Sequence, residues 1–261
     1  MTGFIHSNVG NWGGVRKVPA ITAGFWIAKV AATTLGETGS DTVTISLNFG
    51  YLLGAISLFV ILSILVLIQV ASREFRPLLF WTAIVTSTMF GTAMADFVDR
   101  TLGIGFSGGT LLLLMSLAAV FCLWYALLGS VSVDTVTTAA PVLFFWMAVA
   151  VSQTLGTALG DWLASAKGYG YRESALVFLS ALAVIAAAYY WTGLSRVALF
   201  WSAFILTRPL GATIGDFLDQ SATDGGLELS RAMASALLAA FLLAYIYFVP
   251  EGQREEGSTR P

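Results

Sequence analysis

The sequence predicts an all-α integral membrane protein, its eight transmembrane helices built from four tandem helical-hairpin repeats, with a two-copy unit duplicated. Three observations predict it. Hydrophobic residues make up 57% of the 261 residues and charged residues 11%, against roughly 25% charged in ordinary soluble domains. Apolar runs of about twenty residues recur, the length that crosses a hydrocarbon core of about 30 Å. One string also returns four times in one register: Phe-Trp, nine residues, Gly, four residues, Asp. Its copies are Phe25-Trp26…Gly36…Asp41, Phe80-Trp81…Gly91…Asp96, Phe145-Trp146…Gly156…Asp161 and Phe200-Trp201…Gly211…Asp216. The tryptophans stand 55, 65 and 55 residues apart, so alternate copies are offset by 120. A register kept this strictly marks an internal repeat.

Taken in order, residues 1–17 form a polar leader that holds His6, the only histidine, and ends in Arg16-Lys17. The leader lacks the charged-then-apolar pattern of a signal peptide. Spans are predicted near 18–40, 46–71, 77–97, 108–130, 139–162, 174–194, 197–218 and 228–249. They form one transmembrane domain, 18–249, with repeats near 18–71, 77–130, 139–194 and 197–249. The charged tail 250–261 reads as disordered. Connections are brief and rich in Gly, Ser, Thr and Asp. Two spans separate successive motifs, so all four motif helices run the same way and share one Asp end. Where they begin, the flanks carry Arg16, Lys17, Arg73, Arg76, Arg196, Arg254 and Arg260; the other side carries Arg100, Lys167, Arg172 and Arg231. The excess of seven over four predicts that both termini lie in the cytoplasm.

Fifteen helical residues from Trp to Asp bring both near one face, expected to be the interior one, and the Phe-Trp pairs read as an aromatic belt with lipid or helix packing. Gly36, Gly91, Gly156 and Gly211 read as sites of close helix packing, where small residues dominate. The aspartates say more. Carboxylates near hydrocarbon are expensive and usually face a bundle interior or a watered path, and a helix C-terminus disfavours an anion. Asp41, Asp96, Asp161 and Asp216 are therefore expected to converge as a ring or as two pairs, joined by Glu37, with Asp99 and Asp219 at the outer mouth. Hard cations such as Mg²⁺, Ca²⁺ and Mn²⁺ take such oxygen ligands. Thr33, Thr34, Thr38, Thr88, Thr92, Gln153, Thr154 and Thr157 add oxygens nearby, with Thr34, Thr88 and Thr154 expected on the path. Arg208, followed by Pro209, needs an anionic partner at depth, and Glu37 is the candidate. Lys29 is expected to tune the same charge or to sit in a buried ion pair.

The strings FWIAKVAATTLGETGSD, FGTAMAD, LGTALGD and FWSAFILTRPLGATIGDFLD resemble a family of bacterial eight-span proteins known as predicted membrane-anchored proteins, some linked in name to amylopullulanase regulation. The resemblance runs from 17 to 249 and implies an eight-span membrane protein without implying a chemistry.

The functional expectation is a cation transporter, for a divalent ion such as Mn²⁺, Ca²⁺ or Mg²⁺, with proton exchange as an option. The alternatives are a non-transporting scaffold or regulator whose aspartates close polar networks, and a path for protons or monovalent cations. Enzymatic chemistry is not expected: the chain has no nucleophile–base–orienter set, no phosphate loop and no histidine pair. Lone Cys122 excludes an internal disulfide and a CxxC site. No cofactor is expected. The expected partners are the lipid bilayer and a small cation, not nucleic acid, and a homo-oligomer is compatible with the sequence.

Overall fold

The computed structural model describes residues 16–222 and 226–249. The predicted tail and all but the end of the leader, His6 included, lie outside these residues. The described chain is helical throughout, with no strand. Its eight long helices are α1 (Ala23–Asp41), α2 (Tyr51–Ala71), α3 (Pro77–Asp96), α4 (Gly105–Leu128), α5 (Ala139–Asp161), α6 (Tyr171–Trp191), α7 (Arg196–Asp219) and α8 (Arg231–Phe248).

Local chemistry sets the ends. Helix α1 begins five residues later than the predicted 18 because Pro19 disfavours helix at the residue before it, and Thr22 then caps the true start. The Thr22 hydroxyl accepts the Phe25 N–H at 3.3 Å. After their motif aspartates, α1, α3 and α5 each widen into one turn of π-helix, at Thr42–Ser46, Phe97–Thr101 and Trp162–Ala166. The fourth copy continues as α-helix to Asp219. The first three connections then turn through paired left-handed residues, Asn48 and Gly50, Gly103 and Gly105, Gly168 and Gly170. Glycine is favoured there because it lacks the Cβ that clashes at positive φ.

The motif helices form a closed ring. Helix α1 packs on α3, α3 on α5, α5 on α7, and α7 back on α1. Of the two arrangements left open by the sequence, the near-fourfold ring is the one observed. The outer helices do not lie mainly on the motif helix they follow: α2 covers α3, α4 covers α5, α6 covers α7 and α8 returns to cover α1. The expected hairpin is thus a unit of sequence and not of packing. The π-turn and the left-handed pair stand between motif helix and outer helix in the first three repeats; α8 reaches the next repeat without them.

Burial follows this division. In the most apolar stretch of α3 and of α5, 67% of residues are buried; in α4, α6 and α8 only 11% are. The outer helices turn Leu, Ile, Val and Phe outward over most of their length, far more apolar surface than a soluble monomer exposes. Seven of the eight helices are long and apolar enough to cross a membrane. Helix α1, with Lys29, Glu37 and Asp41, is the exception, and it is enclosed by α3, α7 and α8.

Four glycines let the ring close. A Cβ on Gly36 would strike Thr88 of α3, on Gly91 Gln153 of α5, on Gly156 Arg208 of α7, and on Gly211 Thr33 of α1. Each partner stands three residues before the glycine of its own helix, so one contact recurs four times around the ring. The packing role read from the sequence is the one these glycines play. Gly91 is the tightest against main chain, since its Cβ would lie 2.7 Å from the Gln153 carbonyl carbon and 2.8 Å from the Thr154 nitrogen. Gly91→Ala is expected to destabilise the purified protein by about 1–3 kcal/mol, as overpacking does. Gly193→Ala, where a Cβ meets nothing within 4 Å, should leave the thermal midpoint unchanged.

Candidate functional site

Residues four apart on a helix stand one above another on one face. In this ring that row is buried in every motif helix: Phe25, Lys29, Thr33, Glu37, Asp41 in α1; Phe80, Ile84, Thr88, Thr92, Asp96 in α3; Phe145, Val149, Gln153, Thr157, Asp161 in α5; Phe200, Phe204, Arg208, Ala212, Asp216 in α7. The column changes from aromatic at one end to carboxylate at the other.

At the aromatic end each Phe meets the Trp of the next repeat. Ring centroids lie 5.6 Å apart for Phe25–Trp81, 5.9 Å for Phe80–Trp146, 6.0 Å for Phe145–Trp201 and 5.8 Å for Phe200–Trp26. Of the readings the sequence offers, helix packing toward the interior is the one observed and the lipid-facing belt is not; of the eight rings only Trp26 is more than marginally exposed. Closing the circle brings both faces of the motif onto neighbouring helices and away from the outer surface. Buried indole N–H groups find acceptors: Trp146 donates to the Gln69 Oε1 at 2.5 Å and Trp201 to the Val131 carbonyl at 2.9 Å. Gln69 in turn donates to the Lys17 carbonyl at 2.8 Å.

One turn further along, the Lys29 Nζ lies 3.7 Å from the centroid of the Phe204 ring and makes no hydrogen bond. Among the described residues no carboxylate pairs with it. The expected buried ion pair is absent, and Lys29 sits two levels of the column below the nearest acid. A cation held on a ring face replaces it.

Arg208 is the centre of the polar layer. Its Nη2 donates to Glu37 Oε2 at 2.7 Å, to Thr92 Oγ1 at 2.6 Å, and to Thr157 Oγ1. Glu37, Thr92 and Thr157 each immediately follow the motif glycine of their own repeat, and Ala212 fills that place beside Arg208 itself. One guanidinium thus links the other three repeats. Thr92 also donates to Glu37 at 3.1 Å, which makes the layer a charge-assisted network. Helix α7 continues through Pro209, beside this side chain.

Above the network the four motif aspartates, Glu37 and Arg100 line a cavity of about 30 Å³, the volume of one water in the liquid. Arg100 reaches in from the π-turn of the second repeat, with its Nε 2.6 Å from Asp96 and its Nη2 3.8 Å from Asp161. Arg231 opens α8 with its Nε 2.8 Å from Asp219 and 3.7 Å from Asp41. Among the described residues no cation stands at ion-pairing distance from Asp216. Oxygens of Asp41, Asp216 and Asp219 all lie within 4.8 Å of one another.

The remaining expected residues fall elsewhere. Asp219 joins the acidic group, but Asp99 turns away to Gly109 of α4, its carboxylate oxygens buried without a hydrogen-bond partner. Its expected position at the mouth is corrected. Thr34, Thr88 and Thr154 are not on the cavity either. Their hydroxyls bond the carbonyls of Val30, Ile84 and Ala150 on their own helices, at 3.0, 2.8 and 3.1 Å. Each hydroxyl spends its hydrogen one turn back along its own helix, and none of the three lines the cavity. Arg100 and Arg231 were missed by the sequence reading. The four-residue spacing from Asp96 to Arg100 is a signal that could have found the first; no periodic signal marks the second.

Removing one partner of a buried ion pair leaves the other charge uncompensated. Arg208→Met is expected to lower stability by about 3–5 kcal/mol. Glu37→Met with Arg208→Met should lose less than the two single changes summed, a coupling of roughly 1–3 kcal/mol in a thermal-unfolding double-mutant cycle.

The repeat of unknown function DUF347 matches four times, at residues 24–75, 79–129, 144–195 and 199–251. Each match opens at or near the start of a motif helix and closes just past the outer helix that follows, so the four repeats read from the tryptophan register are the family's own units. Comparison with the curated proteins and with the solved structures gave no match. The matches cover well over half of the chain, which belongs to the family built from this DUF347 repeat.

Proposed function

We propose that the chain is a multi-pass membrane protein that carries a small cation, a divalent metal ion above all, through the carboxylate end of its ring. The observation that carries the reading is the convergence of all four motif aspartates and Glu37 on one small cavity, with Arg100 the one cation among the described residues that line it. With Asp219 counted, six carboxylates stand against three guanidiniums, Arg100, Arg208 and Arg231, an excess of negative charge that a hard cation offsets. Two oxygens bound at about 2.4 Å to a shared Ca²⁺ stand at most about 4.8 Å apart. The oxygens of Asp41, Asp216 and Asp219 are within that span. Arg231 and Arg100 act as built-in counter-ions that give way as the metal enters.

Beyond the cavity the axis is closed twice, first by Arg208 with Glu37, Thr92 and Thr157, then by the ring of Phe and Trp. Passage then requires Arg208 to leave Glu37, which frees that carboxylate to receive the ion. The apolar outer helices and the excess of Lys and Arg where the motif helices begin support insertion in a bacterial inner membrane, with both termini cytoplasmic. A second reading, a scaffold that moves nothing, is favoured by the same two closures and by the ion pairs already made by Asp41, Asp96 and Asp161.

Isothermal titration of the purified protein with Mn²⁺, Ca²⁺ and Mg²⁺ separates the two. Saturable binding is expected, and it should vanish in the Asp96→Asn, Asp216→Asn double variant while the fold persists. No binding of any of the three ions by the native chain would sink the metal reading.

A further inference from the structure

A groove of about 1470 Å³ lies on the outside of the ring, where α6 and α8 border the surface of α1 and α7. Its walls are apolar along their length, with Ile27, Leu179, Phe200 and Phe241 among them. Two of the hydroxyls in its lining are already used: Thr34 donates to the Val30 carbonyl at 3.0 Å and Thr207 to the Phe204 carbonyl at 2.8 Å. The groove therefore offers a ligand dispersion contact and little hydrogen bonding along most of its course.

One end is different. Arg16 and Arg196 both line the groove where α1 and α7 begin. Arg196 is held in place by donation to the Tyr189 carbonyl and by its guanidinium 4.2 Å from the Tyr189 ring centroid. Arg16 meets Asp134, the one carboxylate among the described residues of the lining, at 2.5 Å. The N-termini of α1 and α7 open at the same end, and their dipoles add to the positive field there. Two arginines and two helix N-termini against one aspartate make an anion-attracting head on a long apolar trough.

We propose that this groove holds one anionic phospholipid, its phosphate between Arg16 and Arg196 and its acyl chains along the wall of α6, α7 and α8. A second copy of the chain inserted in the same sense would bring its own Arg16 and Arg196 to the same level, where like charges repel; a lipid phosphate complements them. The charged end is the end assigned to the cytoplasm, where basic pockets between spanning helices meet anionic head groups. The inference rests on the membrane part of the proposed function and not on the ion, so either can fail without the other.

Native mass spectrometry of the detergent-purified full chain tests it, with phosphatidylglycerol and phosphatidylcholine of identical acyl chains supplied in turn. One phosphatidylglycerol per chain should be retained with at least roughly fivefold preference, the weight of about one net positive charge near a lipid phosphate once Asp134 offsets one arginine. Arg16→Gln with Arg196→Gln should abolish the preference. Arg172→Gln, at the far end of the groove, should keep it. Equal retention of the two lipids, an unchanged preference in the double variant, or a lipid-free dimer overturns the proposal. If the double variant does not fold, the native chain decides through salt. Preference should fall as ionic strength rises from about 0.1 to 1 M, and a preference indifferent to salt overturns it.

Discussion

The structure depends on four helix backbones approaching closely around one axis. Each motif glycine receives a side chain from the next helix, and the last receives Thr33 from the first. Because the seats are cyclic, none can be changed without moving two helices, and the ring transmits that movement. Every level of the column inherits its geometry from this constraint. The aromatic contacts at one end and the carboxylates at the other recur once per repeat because the seat does, and the same seats bring Arg208 level with the other three helices.

Departures from the repeat lie where the chemistry lies. At the level three residues before the glycine, two repeats place Thr, one places Gln and one places Arg. One position after the glycine, the four residues are Glu, Thr, Thr and Ala. A symmetric ring of four arginines would repel itself; a single arginine facing one acid and two hydroxyls matches its charge and bonds through Nη2, while its Nε and Nη1 make no hydrogen bond. Ala212 is the small residue that spares room beside Arg208. The copies have therefore diverged toward a single asymmetric centre while keeping the seats that hold it.

Much of this was legible from the residues. A period kept over four copies gave the glycine seats and the shared aspartate end, since a seat repeated by register must be filled by register. The partnership of Arg208 with Glu37 followed from charge alone, because a guanidinium at that depth needs an acid. The Phe-Trp pairs were legible only in part: belt statistics describe helices facing lipid, and ring closure, which selects helix packing instead, is a property of the assembled helices. Thr34, Thr88 and Thr154 misled because a helical threonine can satisfy itself one turn back, which composition cannot reveal. Arg231 enters from the start of the last outer helix with no periodic position, so only the fold brings it to Asp41 and Asp219.

The offset by which each outer helix shields its successor has a topological consequence. An open chain of such units would leave its first inner helix bare and its last outer helix without a host. Contact of α8 with α1 removes both loose ends at once, as the clasp does on a bracelet. The arrangement is a domain swap carried out within one polypeptide, and it fixes the copy number. A chain with one unit fewer or more would have to close at another radius, where a single arginine no longer reaches three different neighbours.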